Sequence, residues 1–347
     1  MRVLIVRLGA FGDIIHTLPL AADLHRAGHT VGWVCEDRWA CVLQGSSVVR
    51  HVHQLPRKRL RASGIIGRWL LLRRLARELR AAAYDVVIDA QGLAKSAVVA
   101  ALSGAGRRIG HARPRSREGA WLIAGQRVPP NAVHVIDQQR ALGLPLLHGA
   151  ARGGWSFALP AWNAQRQWAI DWLTTVGLDP RRGRRPLMLN VGAGWPTKVW
   201  PQERQIAFAQ SCAARGLPLV LVWGSPDEQL IAKAIVAASP GTHLAPFTTI
   251  PQLAGLIAQA RVLVSGDTGP LHLGLALDVP AVGLFGPVPA TRNGPRGRRY
   301  RTLQAPGAAW ERKDVSKVDM GALSAEAVLA EALAVAVPEI DKDAPAT

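Results

Sequence analysis

A chain of 347 residues, 49% hydrophobic and 19% charged, is too long for one ordinary core and too apolar for disorder, so two globular domains are expected. Three scattered cysteines, an N-terminal apolar run too short for a signal peptide and the lack of any stretch of roughly 20 apolar residues argue against a disulfide or zinc scaffold, secretion and a membrane span, leaving the cytoplasm. The formal charge of +18 is concentrated in residues 1–160, which hold 23 Lys/Arg against 9 Asp/Glu, a bias that favours anionic partners.

In chain order, short apolar runs without alternation predict buried parallel strands at Val3–Val6, Thr30–Val34, Val52–Leu55 and Tyr84–Asp89. Helical patterns between them cover Pro19–Ala27 closed by Gly28, Arg68–Ala82, and Leu93–Leu102 closed by Gly104. The turn-rich basic stretch Gly177–Pro186 predicts a hinge and boundary, giving domains 1–180 and 181–321. Beyond it, strands are expected at Leu187–Val191, Leu217–Val222, Val262–Ser265 and Ala281–Phe285. Helices are expected at Gln202–Arg215, Gln229–Ala238, Pro251–Ala260 and Pro270–Leu277. A final helical pattern at Ser324–Ala334 has no strand after it, so a segment 322–336 is expected to pack back on the first domain, with the tail Asp341–Thr347 fraying. Each half is a βα repeat, which implies α/β architecture: two Rossmann-like, doubly wound sheets facing each other across a cleft. That arrangement serves many functions and does not choose among them.

Chemistry concentrates at four strand-to-helix junctions. Arg7-Leu8-Gly9-Ala10-Phe11-Gly12-Asp13 lacks the third glycine of a dinucleotide fingerprint and leaves one carboxylate, Asp13, at the carboxyl edge of the sheet. Asp13 would stand at the mouth of the cleft, and the plain alternative is that it caps the following helix. In Ser265-Gly266-Asp267-Thr268-Gly269-Pro270-Leu271-His272 the strand runs into a helix whose first amides and Thr268 hydroxyl could cradle a phosphate. There Asp267 would repel phosphate and suits sugar hydroxyls or loop orientation, while His272 is either a ligand contact or a packed core residue. Lys198, in the loop Gly192–Pro201, could neutralise a diphosphate leaving group or simply be solvated. Glu228, after Trp223-Gly224, could hold ribose hydroxyls or complement a helix dipole. No helix-turn-helix signature, zinc ligands or aromatic-studded basic strand accompanies the positive charge, so nucleic acid is not an expected partner.

Taken together, Gly12-Asp13, Lys198 with Trp200-Pro201, Trp223-Gly224 through Glu228, Asp267 to His272 and Leu284-Phe285-Gly286-Pro287 resemble the heptosyltransferases of bacterial lipopolysaccharide synthesis over nearly the whole chain. The segment Asp89–Ala97 resembles the version that adds the first heptose to Kdo. Gly194, Trp195 and Val288 depart from the usual pattern, which bears on the sugar and donor more than on the fold. The resemblance implies a GT-B fold and inverting, metal-independent transfer with no cofactor. It implies ADP-L-glycero-β-D-manno-heptose as donor and Kdo on lipid A as acceptor, with peripheral contact at the inner face of the cytoplasmic membrane. By the same resemblance Asp13 is the base and Lys198 meets phosphates or heptose. Glu228 meets the ribose, Asp267 the heptose hydroxyls, and Thr268, Gly269 and His272 the phosphate end. For the acceptor's phosphates and carboxylates the candidates are Arg57, Lys58, Arg59, Arg61, Lys95, Arg113, Arg115 and Arg117; a merely solvated basic surface is the plain alternative.

Overall fold

The structure, a computed structural model, describes residues 1–147, 153–308 and 318–336. The chain divides into two units, Met1–Ala161 and Trp162–Thr347. In the first, β1 (Arg2–Val6), β2 (Thr30–Glu36), β3 (His51–Leu55), β4 (Val86–Asp89), β5 (Arg107–His111) and β6 (Gln126–Val128) form a parallel sheet in the order β3-β2-β1-β4-β5-β6. Its helices are α1 (Phe11–Arg26), α2 (Arg57–Ala62), α3 (Ile65–Ala81), α4 (Ala94–Leu102) and α5 (Val135–Ala141).

The second unit starts with α6 (Asn163–Thr175) and then alternates β7 (Leu187–Asn190), α7 (Gln202–Ala214), β8 (Leu219–Val222), α8 (Pro226–Ala238), β9 (Thr242–Leu244), α9 (Ile250–Gln259), β10 (Val262–Gly266), α10 (Gly269–Ala276), β11 (Ala281–Phe285), α11 (Ala290–Asn293), β12 (Tyr300–Gln304) and α12 (Ala325–Ala336). Its parallel sheet runs β12-β11-β10-β7-β8-β9, the same winding counted from its own first strand. Each sheet is therefore Rossmann-like. Ligands of such sheets bind where the strand order reverses, which here means above β1/β4 and β7/β10.

The central strands form because their side chains are apolar on both faces: Val3, Leu4, Ile5 and Val6 are wholly buried, and Val262, Leu263 and Val264 likewise. The strands not expected from sequence, β5, β6, β9 and β12, are short or carry arginines, and three of them are edges where one side needs no apolar cover.

Three expectations are corrected. Helix α1 starts at Phe11, not Pro19, because Ile14, Ile15 and Leu18 continue its buried face and Pro19 forfeits only one hydrogen bond. The boundary lies at Ala161/Trp162, because α6 packs on α9 and Arg185 Nη2 donates to the Ala258 carbonyl (2.8 Å). Gly177–Pro186 is thus a connection inside the second unit. Helix α12 belongs to that unit too, burying Val328, Leu329 and Ala332 against α7, β10, β11 and β12. The tail Asp341–Thr347 lies outside the described residues.

Candidate active site

In the first unit the junction after β1 is organised by Arg7. Its backbone continues the ladder to β2, its Nη1 donates to the Ala90 carbonyl (2.8 Å), and its Nη2 pairs with Asp13 Oδ2 (2.7 Å). Asp13 sits in the first turn of α1 and accepts the Ala10 N–H (3.1 Å), so it does cap the helix. Its side chain is 40% exposed, whereas that of Arg7 is 5% exposed. Partial burial opposes ionisation of Asp13, but the Arg7 charge, the Ala10 N–H and the charge of Arg115 outweigh it and hold the carboxyl below the usual carboxylate range. Gly9 has a separate reason to be glycine: a Cβ there would lie 2.8 Å from Trp39 Nε1, whose ring stacks on Phe11 (5.9 Å).

The neighbouring titratable groups are buried. Asp89 ties down the loop after β4, accepting the Gln91 and Gly92 N–H groups (3.0 Å each) and the Ser96 hydroxyl (3.1 Å). Burial raises its carboxyl, against those three donors. Burial, together with the Arg115 charge, pushes His111 down to about 3. Burial likewise pushes the Cys35 thiol up to about 12, as it does that of Cys212 in the core of the second unit, which removes both as nucleophiles.

Of the basic residues singled out from sequence, Arg57 and Lys95 converge on buried Glu36, at 3.5 and 3.8 Å, alongside Arg38 at 3.0 Å. Glu36 ends β2, and its N–H reaches the Leu8 carbonyl beside the Asp13 loop. Arg115 is half-buried on a loop whose Arg117 N–H donates to the Gly92 carbonyl (2.9 Å), and Arg113 lies over the Trp121 ring (4.8 Å). Lys58, Arg59 and Arg61 are exposed on α2, where nothing is buried. Arg7 and Glu36 were missed. An acid ending the second strand of a Rossmann-like unit is a known signal, but Glu36 lay two residues past the strand expected from sequence.

In the second unit, β7 and β10 bring Lys198 and Asp267 together. Lys198 Nζ pairs with Asp267 Oδ2, donates to the Asp267 carbonyl (3.2 Å) and lies over the Trp195 ring (4.9 Å). Asp267 Oδ1 faces His272 Nε2 (3.4 Å) and accepts from Asn293 Nδ2. Burial raises the Asp267 carboxyl, but the hydrogen bonds and charges of His272 and Lys198 prevail and bring it to about 2. Both oxygens are thus engaged by protein groups. Asp267 is a buried counter-ion to Lys198, in keeping with the loop-orienting alternative weighed for it. Thr268 precedes the first turn of α10, and its hydroxyl joins Asn190 (3.3 Å) and the Gly266 carbonyl (3.2 Å). Gly269 opens α10 and Pro270 is its second residue, one place later than the first position expected for it. Glu228 Oε2 accepts the Gly224 N–H (2.6 Å), and its carboxyl occupies the space a Cβ on Gly192 would need. Glycine at 192 lets that carboxylate lie against the β7 loop. Asn293, also missed from sequence, stands on the four-residue α11 that no periodicity marks. Among the described residues no group of three or more His, Cys, Asp or Glu side chains is placed to hold a metal ion.

Residues 72–321 match the model of glycosyltransferase family 9 (heptosyltransferase). The chain belongs to glycosyltransferase family 9. Lipopolysaccharide heptosyltransferase 1 of Pseudomonas aeruginosa is 33% identical over 306 residues, covering 86% of this chain and 82% of that relative. The Escherichia coli heptosyltransferase WaaC solved with ADP is 27% identical with a TM-score of 0.76, covering 95% of this chain and 98% of that one. The same enzyme solved with ADP-2-deoxy-2-fluoro heptose gives 0.74 over the same shares. This family 9 chain is accordingly a glycosyltransferase with the GT-B fold, and both of its sheet switch points carry polar groups, Arg7 and Asp13 at one and Lys198 and Asp267 at the other.

Proposed function

We propose that the chain transfers heptose from ADP-L-glycero-β-D-manno-heptose to Kdo of lipid A, with inversion and without a metal, in the inner core of lipopolysaccharide. The donor reading rests on the likeness to a structure holding an ADP-heptose analogue, and the first-heptose reading on relatives named heptosyltransferase 1. The observation that carries the mechanism is Asp13. It is an ionised and accessible carboxylate at the first switch point, whereas Asp89 and His111 beside it are 6% and 1% exposed.

In this reading Asp13 accepts the proton of the attacking Kdo hydroxyl. A carboxylate held below the usual range is a weak base, so the proton moves late, once bond formation has acidified the hydroxyl. Inversion follows when the hydroxyl attacks the anomeric carbon opposite departing ADP. The leaving diphosphate meets the first amides of α10, the Thr268 hydroxyl and the ammonium of Lys198. Asp267, with Asn293 and His272, holds Lys198 in place. Glu228 keeps one oxygen on Gly224 and offers the other to the ribose. Arg57, Lys95, Arg113, Arg115 and Arg117 draw in the acidic acceptor, which being lipid-anchored is met at the inner face of the cytoplasmic membrane. Lys58, Arg59 and Arg61 extend that positive field.

The test is turnover of purified protein with ADP-heptose, offered either Kdo-lipid A or the same acceptor already bearing one heptose. Transfer to the first alone is the expected result. Transfer only to the second would replace this reading with a second-heptose enzyme.

A further inference from the structure

Helix α3 presents an apolar face to solvent. Ile65, Ile66, Trp69 and Leu70 are 86, 76, 55 and 53% exposed, and their spacing puts them on one side of its first two turns. An adjoining side buries Leu75, Ala76 and Leu79 in the later turns, so the first two turns reach out past the core on which the rest of the helix packs. Large side chains left out together in this way mark an interaction surface rather than the scattered exposure every protein tolerates.

The surroundings say what kind. Residues 57–81 carry nine Lys/Arg and a single acid, Glu78, whose carboxylate is taken up by His53 (2.5 Å). Arg73 lies over the Trp69 ring (5.0 Å), and Arg68 Nε donates to the Leu60 and Ser63 carbonyls (3.0 Å each), fixing the α2–α3 corner. An apolar stripe headed by Trp and framed by arginines is the composition of a helix that lies in a membrane interface, its apolar side among the acyl chains and its cations among anionic headgroups. It does not span: no helix among the described residues is long and apolar enough to cross. A second copy of this chain fits poorly, since a two-fold contact would set nine cations against nine.

We propose that the outward face of α3, with the arginines of α2 and α3, docks the protein on an anionic lipid bilayer. Helix α2 begins at Arg57, which pairs with Glu36 at the carboxyl edge of the first sheet, so the docking face adjoins the Asp13 junction within one unit. A lipid-anchored acceptor gives this docking its purpose and rests on the functional reading above. The docking itself does not depend on that reading.

The test uses the full chain and co-sedimentation with vesicles of phosphatidylethanolamine containing about a quarter phosphatidylglycerol, against pure phosphatidylcholine, at low and high salt. The parent should bind the anionic vesicles and not the neutral ones. The double variant Ile66→Ser/Trp69→Ser should bind about tenfold more weakly or worse, with an unchanged melting temperature and unchanged turnover on detergent-dispersed acceptor. Equal binding of parent and variant, binding of neutral vesicles as strongly as anionic ones, or a concentration-dependent dimer abolished by the variant would each overturn the proposal. A parent that binds vesicles through Ile66 and Trp69 yet transfers no heptose would leave this inference standing and remove the functional one.

Discussion

Replacing Asp13 by Asn separates its two parts, cap and base, in a way the surrounding geometry makes quantitative. Asn caps a helix nearly as well as Asp, so from sequence the stability cost is below about 1 kcal/mol. The structure raises that figure, because the substitution strips the counter-ion from Arg7, whose side chain is 5% exposed. Breaking a fully buried pair costs about 3–5 kcal/mol and an exposed one under about 1. Asp13 is 40% exposed and Arg7 keeps the Ala90 carbonyl, so Asp13→Asn should cost about 1–3 kcal/mol. Adding Arg7→Met removes the stranded charge, and the double variant should recover about 1 kcal/mol or more relative to additivity. Turnover should not recover: an amide accepts no proton, so kcat falls roughly 100-fold or more in Asp13→Asn and in the double variant alike. Arg7→Met alone keeps the carboxylate but loses the charge that depresses it, so the acid limb of its rate profile moves to higher pH. Urea unfolding and turnover on the same four proteins measure all of this. Turnover of Asp13→Asn within about threefold of the parent would end the assignment of Asp13 as base. Strict additivity of the two stability changes would end the ion-pair argument.

Lys198→Gln should weaken ADP binding about tenfold or more in calorimetry, since a charge-assisted bond to phosphate is lost; unchanged affinity would move the diphosphate elsewhere. Asp267 has a folded pKa of about 2, below its ordinary value of 3.8, so its stabilisation is complete above about pH 4 and is lost as pH falls toward 2. That loss amounts to about 2 kcal/mol of unfolding free energy measured by urea titration, and Asp267→Asn should show none of this slope. Replacing the exposed Lys58, Arg59 and Arg61 by Ser should raise the acceptor KM, more at low salt than at high, while kcat holds. An acceptor KM indifferent to salt in that variant would leave the cluster a solvated surface.

Much of the architecture could be read from the chain because buried parallel strands are written locally. Val3–Val6, Tyr84–Asp89, Leu187–Val191 and Val262–Ser265 are apolar without alternation, and these are the strands that flank the two switch points. Since the loops after those strands carry Asp13, Lys198 and Asp267, finding the strands located the chemistry. What tertiary structure decided is how those groups are paired. Arg7 reaches Asp13 and Ala90, while Arg38, Arg57 and Lys95 converge on Glu36 from an adjacent turn and two separate helices. Asp267 meets Lys198, 69 residues away, and Asn293, 26 residues away, across separate strands and helices. Tertiary surroundings then set the charge states that composition leaves open: His272 and Lys198 pull Asp267 down against its burial, and burial pushes His111 out of its usual range. Domain membership followed the same division. A turn-rich basic stretch looks like a linker wherever it occurs, but α6 belongs to the second unit because its face fits α9, and α12 because its apolar side fits α7. Local pattern determines which segments become strands and helices; only packing between distant segments determines which charges face one another.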